Sequence, residues 1–204
     1  MAPALNRANS GRSTRRQLSG APNITYEAAL LRHLRGRGIP VSASLPSADG
    51  RDSVMVRLPE GPRTLMAFEY LDGDETSDAA DDIEAFGSGL AALHDAAASY
   101  AGPPSLYTLD LDYLIDRPLA RTLQAPTITE ELRPQFREIA ARLRSRIEAI
   151  DGLSRTVCHG DSHGSNNFIT VGAEGGKVAA FFDSDECGPG YLAYELAVYP
   201  WLPC

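Results

Sequence analysis

The first third of the chain alternates between a helical pattern and extended apolar stretches. Apolar side chains recur every three to four positions over residues 27–37, which predicts a helix that ends at the glycines beside it. Residues 64–71 form a continuous apolar run, which predicts a buried strand. Between them, the Asp49 and Gly50 dipeptide predicts the turn of a β-hairpin with strands near residues 41–47 and 52–58.

The rest of the chain is mainly helical in its pattern. Apolar residues at helical spacing predict long helices over residues 77–99 and 129–150 and a shorter helix over residues 191–199. Between the last two helices, residues 157–170 predict a strand, a polar loop and a second strand. A pair of glycines then turns the chain into a third strand over residues 178–182.

These patterns predict an α+β fold with three regions. Residues 1–23 hold few apolar side chains and are expected to be disordered or poorly packed. Residues 24–73 form a small strand-rich part that ends in a connecting segment. Residues 74–204 form a mainly helical part.

Composition and charge exclude several classes of protein. With 43% hydrophobic and 23% charged residues, the 204-residue chain is typical of soluble globular proteins. Nothing approaches the ~18 consecutive apolar residues of a membrane span, and the polar, Arg-rich start lacks the apolar core of a secretory signal. Three cysteines without framework spacing predict a reducing cytoplasm.

The net charge of -8 argues against a nucleic-acid partner. Its distribution is uneven, because residues 1–60 carry nine arginines and four acids, whereas residues 61–204 carry 10 basic and 23 acidic residues. An acidic second part attracts cations, either a cationic substrate or Mg²⁺. A solvated acidic surface explains most of these residues equally well.

Polar residues concentrate in two clusters, residues 158–168 and residues 182–190, each at the end of a predicted strand. The glycine hairpin is expected to bring them close together. Asp161, Asn166 and Asp183 then supply two oxygen ligands and a nearby carboxylate. This set suits Mg²⁺, which takes few protein ligands. The remaining carboxylate can accept a proton from a hydroxyl nucleophile, as phosphoryl transfer from ATP requires.

The two clusters read HGDSHGSNN and FFDSDECGPG, and they resemble the aminoglycoside phosphotransferase and choline kinase-like family. The resemblance covers roughly residues 24–201 and includes a helix that ends in Leu93 and His94. It implies a two-lobed protein-kinase-like fold with an incomplete strand-rich N-lobe and a mainly helical C-lobe. It also implies an ATP- and Mg²⁺-dependent phosphotransferase acting on a hydroxyl of a small, amine-bearing molecule, with no nucleic-acid or membrane partner.

The resemblance implies roles for individual residues of the clusters. Asp161 is expected to be the catalytic residue that orients or deprotonates the acceptor hydroxyl. Asn166 and Asp183 are expected to bind the metal. His159 is expected to hold the loop by hydrogen bonding, and Asp185 occupies a second acidic position whose role varies.

Nucleotide contacts are also implied by the resemblance. Glu69 and Leu71 match hinge positions whose backbone contacts adenine, with Phe68 behind them. Glu27 matches the helix glutamate that pairs with a lysine of the N-lobe.

The lysine itself is the main departure from the family pattern. The only lysine, Lys177, follows the glycine pair, and no lysine precedes Glu27. Arg15 or Arg16 is the available substitute, although arginine is a poor isostere for lysine at a phosphate site. No convincing phosphate-covering loop precedes residue 24. Members of the family also usually continue well beyond Trp201. Together these departures predict a chain that is truncated at both ends or degenerate, and an inactive nucleotide-binding remnant is the alternative function.

Two metal-based alternatives also follow from the cluster. A zinc site would use Cys158, His159, His163 and Cys187, although the usual paired cysteine spacing is missing. A metallohydrolase would use His159, Asp161 and His163, although no further histidine cluster supports it. The acceptor and the oligomeric state cannot be read from the sequence.

Overall fold

The structure is a computed structural model that describes residues 23–59 and 61–199. Its helices are α1 (Ile24–Gly36), α2 (Ala80–Ala97), a π-helical turn (Asp112–Asp116), α3 (Arg117–Thr122), α4 (Leu132–Glu148), a 3₁₀ turn (Gly164–Asn166) and α5 (Leu192–Val198). Its strands are β1 (Ser44–Leu45), β2 (Val54–Leu58), β3 (Gly61–Leu65), β4 (Ala67–Phe68), β5 (Asp74–Glu75), β6 (Arg155–Cys158), β7 (Asn167–Val171), β8 (Lys177–Phe181) and β9 (Gly188–Tyr191).

Strand pairing in the first part of the chain differs from the predicted hairpin. β2 pairs with β3 rather than with residues 41–47, and β1 pairs with β4. The turn at Gly50 is present, with φ of 78°, but it does not set the pairing. The run over residues 64–71 is not a buried strand either, since Leu65 is 49% and Phe68 is 38% exposed.

The second part of the chain follows the predicted order of elements. The helices over residues 77–99, 129–150 and 191–199 appear as α2, α4 and α5, each somewhat shorter than predicted. The glycine hairpin joins β7 and β8, which pair antiparallel with Asn167 opposite Phe181. β7 also pairs with β5, and β6 pairs with β9.

The main core lies where α1 and α2 pack over β8. Leu34 of α1, Leu90 of α2 and Phe181 of β8 are almost completely buried in one cluster. α2 approaches the sheet closely at Gly89, where a Cβ atom would lie 3.0 Å from the Cβ of Ala179. This packing fixes the ends of β7 and β8, where the two polar clusters begin.

A short extended segment, residues 40–43, connects β8 to the predicted hinge. The amide of Phe181 donates to Pro40 O at 2.8 Å, and Ser42 N donates to Phe181 O at 2.9 Å. On the other side, Glu69 N donates to Ala43 O at 2.9 Å. The hinge therefore has a fixed position relative to the strand that precedes Asp183.

Residues 1–22, including Arg15 and Arg16, lie outside the described residues. The boundaries predicted at residues 23 and 73 stay a prediction. Within residues 23–59 and 61–199, no helix has both the length and the apolar character that crossing a membrane requires.

Candidate active site

The loop between β6 and β7 brings two of the predicted site residues into direct contact. Asn166 Nδ2 donates to the carboxylate Oδ2 of Asp161 at 3.1 Å and to its backbone oxygen at 2.8 Å. The amide of Asn166 donates to His163 O at 2.9 Å, which forms the 3₁₀ turn. The His163 Nε2 atom lies 3.7 Å from Asp161 Oδ2. Asp161 is therefore held on two sides within a tight turn.

Asp183 is tied to the same loop through its neighbour in the chain. The amide of Phe182 donates to Asn166 O at 3.0 Å, and its carbonyl faces His159 Nε2 at 2.9 Å. Asp183 itself is exposed and has φ of 58°, the left-handed region that costs a non-glycine residue roughly 1–2 kcal/mol. The residue before the strained position is thus fixed to the loop that carries Asp161 through both its N–H and its carbonyl.

His159 plays the loop-holding part that the family resemblance implied. Its Nδ1 accepts from Asp161 N at 3.4 Å, so the proton is assigned to Nε2, which donates to Phe182 O. The ring is buried and bridges the two clusters by hydrogen bonds.

Gly160 allows the two clusters to approach closely. Its φ is 88°, and a Cβ atom there would lie 2.2 Å from Glu186 O. The second cluster is anchored from the far side, where Tyr113 OH donates to Glu186 Oε2 at 2.6 Å and Tyr107 OH donates to Asp185 O at 3.1 Å. Two stacked tyrosines thus support the turn that carries Asp183.

Glu195 is a site residue that the sequence analysis missed. It lies in α5, its side chain is 0% exposed, and its carboxylate accepts from the amides of His159 and Gly160. The only signal in the sequence is an acidic residue within the otherwise apolar and aromatic segment YLAYELAVY.

Glu27 lies in α1 with only 5% of its surface exposed. Burial raises its pKa to about 8, and the carboxylates of Asp185 and Asp183 add to the effect. Within the described part of the chain, no lysine or arginine forms an ion pair with it. Glu27 therefore faces the acidic cluster and retains a proton at neutral pH.

The predicted hinge is held mainly by contacts of Glu69 with α1 and with residues 42–43. Glu69 O accepts from Ser42 Oγ at 2.6 Å, which leaves one lone pair of that carbonyl, and Glu69 Oε2 lies 2.9 Å from Arg35 of α1. Leu71 is half-buried and Phe68 is exposed. The predicted hinge residues connect to the loop that carries Asp161 indirectly, through residues 40–43 and β8.

The donor set argues against the zinc alternative. Among the residues that the structure describes, no three His, Cys, Asp or Glu side chains are grouped to hold a metal ion. The zinc hypothesis is therefore wrong, since Cys158 and Cys187 are buried in different apolar clusters and His159 is committed to backbone groups. One amide oxygen from Asn166 and one carboxylate from Asp183 suit Mg²⁺, which keeps several waters and often takes only one or two protein ligands.

Lys177 lies away from this site, at the start of β8. Its ammonium nitrogen is 2.6 Å from Asp82 Oδ1 and 2.7 Å from Asp81 Oδ2, both in the first turn of α2. Lys177 thus neutralises two of the acidic side chains at the start of α2.

Comparison with known proteins identifies the family. The phosphotransferase enzyme family, APH, matches residues 12–202. An uncharacterised protein of Deinococcus radiodurans is 40% identical over 181 residues, which are 87% of this chain and 51% of the relative. The uncharacterised protein sll1119 of Synechocystis is 30% identical over 183 residues, 86% of this chain and 49% of the relative. The chain spans about half the length of these curated relatives.

Solved structures share the fold. A microcompartment-associated aminopropanol kinase aligns with a TM-score of 0.68 and 23% identity, over 90% of this chain and 60% of that protein. The amicoumacin kinase hAmiN, solved in complex with AMP-PNP, Ca²⁺ and Ami, aligns with a TM-score of 0.67 and 19% identity, over 91% of this chain and 56% of that protein. The chain therefore has the two-lobed protein-kinase-like α+β fold, and it belongs to the phosphotransferase enzyme family.

Proposed function

We propose that this chain is the core of an ATP- and Mg²⁺-dependent phosphotransferase that acts on a hydroxyl of a small, amine-bearing molecule. The observation that carries the proposal is the hydrogen bonding that joins Asn166 to Asp161 and to Phe182, the residue before Asp183. Asn166 binds the Asp161 carboxylate through its side chain and the backbone before Asp183 through its carbonyl. A candidate base and two candidate metal ligands therefore share one rigid frame.

In the proposed reaction, Asp161 orients the acceptor hydroxyl and accepts its proton. The acceptor oxygen forms a bond to the γ-phosphorus of ATP as the bond to the bridging oxygen breaks, and ADP leaves with that electron pair. The Asn166 amide holds the Asp161 carboxylate in place and reduces its freedom to rotate.

Asn166 Oδ1 and the Asp183 carboxylate would hold Mg²⁺, which when bound neutralises charge on the phosphates. The backbone of Glu69 and Leu71 would bind adenine, with Phe68 beside it. The fixed connection through residues 40–43 supports this arrangement, because it sets the distance between hinge and metal ligands.

An amine-bearing acceptor is supported by charge and by the neighbours. Residues 61–204 carry 10 basic and 23 acidic residues, so this part of the chain attracts cations. The two structural neighbours are named for aminopropanol and amicoumacin. A cytoplasmic location agrees with Cys158 and Cys187 being free thiols.

One observation favours the alternative of an inactive nucleotide-binding remnant. Glu27 has no cationic partner in the described residues and retains its proton at neutral pH. In the family pattern, a lysine held by this glutamate makes a charge-assisted contact to the phosphates. Without that lysine the contact is lost, which costs about 1.5–3 kcal/mol, or one to two decades of affinity.

The test is calorimetry of ATP with and without Mg²⁺, combined with transfer of labelled γ-phosphate to a panel of amino alcohols and aminoglycosides. We expect weak, Mg²⁺-dependent binding that Asp183→Asn abolishes, together with slow transfer to an amine-bearing acceptor. Mg²⁺-dependent binding without transfer to any acceptor would favour the remnant. Equal binding with and without Mg²⁺ would overturn the metal site.

A further inference from the structure

We propose that Ser42 is a specificity-determining residue, whose hydroxyl selects a purine with an amino group at C6 over a purine with a carbonyl at C6. The proposal rests on the proposed function, because it concerns the base that the backbone of the predicted hinge is proposed to bind. The observation that carries it is the hydrogen bond that the Ser42 hydroxyl donates to the backbone oxygen of Glu69.

The chemistry of the two groups fixes which of them donates. A serine hydroxyl has one O–H donor and two lone pairs, whereas a backbone carbonyl only accepts. Since Ser42 Oγ lies 2.6 Å from Glu69 O, the hydroxyl proton points at the carbonyl. Both oxygens therefore present only lone pairs to a third group.

Glu69 is held in this orientation from three directions. Its carbonyl accepts from Ser42, and its amide donates to Ala43 O at 2.9 Å. Its carboxylate lies 2.9 Å from the guanidinium of Arg35. Arg35 also donates to Val41 O at 3.4 Å, so that α1 holds both the hinge and the segment that carries Ser42. The carbonyl therefore stays turned toward the hydroxyl.

Ser42 lies between the two ends of the proposed nucleotide site. Its amide donates to Phe181 O at 2.9 Å, and Phe181 lies two residues before the proposed metal ligand Asp183. Its side chain bonds to the hinge on the other side. A nucleotide that spans Glu69 and Asp183 therefore has its base at the hinge end, beside this hydroxyl.

A pair of oxygens that only accept hydrogen bonds distinguishes between purines. The C6 amino group of adenine donates hydrogen bonds, whereas the C6 oxygen of guanine accepts them and would face the lone pairs of both oxygens. Ser42 is only 8% exposed, so water has little access to bridge mismatched atoms, and a buried acceptor left unpaired is costly. We expect a preference of about tenfold for the amino purine.

The test measures the affinity of three nucleotides for the full chain in the presence of Mg²⁺, by calorimetry. They are ATP, GTP and purine riboside triphosphate, which carries hydrogen in place of the C6 amino group of ATP. The parent should bind ATP about tenfold more tightly than either of the others. Ser42→Ala should weaken ATP binding by about 3–10-fold and change the binding of purine riboside triphosphate by less than about twofold. Ser42→Thr keeps the hydroxyl and should keep the preference for ATP.

Ser47→Ala is the matched control. The Ser47 hydroxyl also bonds to a backbone oxygen, that of Arg51 at 2.9 Å, but it does so at the turn that contains Gly50. Its loss should leave all three affinities unchanged. The control thus separates the loss of the hydroxyl beside the base from the loss of any serine hydroxyl in this part of the chain.

Two outcomes would overturn the role of Ser42 alone. A parent that binds ATP no more tightly than GTP or purine riboside triphosphate would do so without any variant. An unchanged ratio of the ATP and purine riboside triphosphate affinities in Ser42→Ala would do so as well, because it would show that the hydroxyl only holds the hinge in place. A parent that binds none of the three nucleotides would instead overturn the proposed function, and the role of Ser42 with it.

Discussion

The side-chain amide of Asn166 lies 3.1 Å from the carboxylate of Asp161 and donates a hydrogen bond to it. The proposed base and a proposed metal ligand are therefore joined directly, five residues apart in the chain. Because the nitrogen of the amide faces Asp161, its oxygen is the atom left for a cation. One side chain thus serves both halves of the proposed reaction.

Replacing Asp161 by alanine should affect turnover far more than nucleotide binding. The carboxylate is expected to accept the acceptor's proton and to make no metal bond, so phosphate transfer should fall by ~10²–10⁴. Asn166 keeps its 2.8 Å bond to the backbone oxygen of residue 161, so the loop stays formed. Calorimetry and labelled-phosphate transfer measure the two quantities, with the exposed Asp151→Ala as control. Equal turnover in variant and parent would refute the assignment.

Asp183→Asn should remove the effect of Mg²⁺ on nucleotide affinity. One negative charge beside a divalent ion is lost, while asparagine tolerates the left-handed backbone of this position. Asn166→Ala should weaken the Mg²⁺ effect less, because a neutral amide binds a cation more weakly, but it should also lower turnover through Asp161. A full Mg²⁺ effect in Asp183→Asn would show that the metal binds elsewhere.

Glu27 should make the protein less stable as the pH rises. Its pKa is about 8 in the folded chain and near 4.5 when unfolded. The folded state therefore holds the extra proton, and this contribution is fully present below pH 4.5 and lost as the pH rises through 8. The decline is at most about 1.4 kcal/mol per pH unit for one proton.

Glu27→Gln mimics the protonated side chain and should remove this part of the pH dependence. The free energy of unfolding of variant and parent, measured in urea at pH 6 and pH 9, should differ more at the higher pH. Glu84→Gln, at an exposed site, should show no such divergence. Parallel pH profiles for Glu27→Gln and the parent would contradict the burial of a protonated carboxyl.

The first cluster should tolerate no side chain at Gly160. Alanine there combines a left-handed backbone penalty of about 1–2 kcal/mol with overpacking against Glu186 O of about 1–3 kcal/mol. Gly175 has φ of 84° but no atom within 4 Å of its Cβ position, so Gly175→Ala should show only the backbone penalty. Urea unfolding measures both, and equal losses would contradict the close approach of the two loops.

The helices were predictable from the sequence because the apolar residues within each one recur every three to four positions, a pattern that needs no knowledge of distant contacts. The turn at Gly50 was recognised as well, but a turn fixes only its own residues, and the partner of each strand depends on distant contacts. β1 and β4 are each two residues long, so they are too short to show the alternation of apolar and polar residues that marks a strand. The exposure of Leu65 and Phe68 follows from which elements cover them, and an apolar run carries no information about its neighbours.

The approach of the two loops that carry Asp161, Asn166 and Asp183 was predictable because both loops combine polar residues with glycines and a glycine hairpin joins them. The contacts of Glu195 were not predictable, since its carboxylate binds backbone amides 35 and 36 positions away. Every residue except proline has the same backbone N–H, so the sequence does not show which residues supply the amides that a carboxylate binds. The same holds for Ser42, whose bond to the carbonyl of Glu69 forms only in the folded chain.

Lys177 carries the only ε-amino group in the chain, and its two aspartate partners raise its pKa. Because Lys177 lies on β8, beside the start of α2, an amine-reactive reagent that modifies a lysine side chain modifies the protein there and not at the candidate active site. ATP analogues that acylate a phosphate-site lysine have no target at the candidate active site. An amine-reactive fluorophore, in contrast, attaches at one internal position, and it does so more readily when the pH is high enough to neutralise that ammonium. The chain therefore offers one lysine outside its polar loops as a side-chain attachment point without any engineered residue.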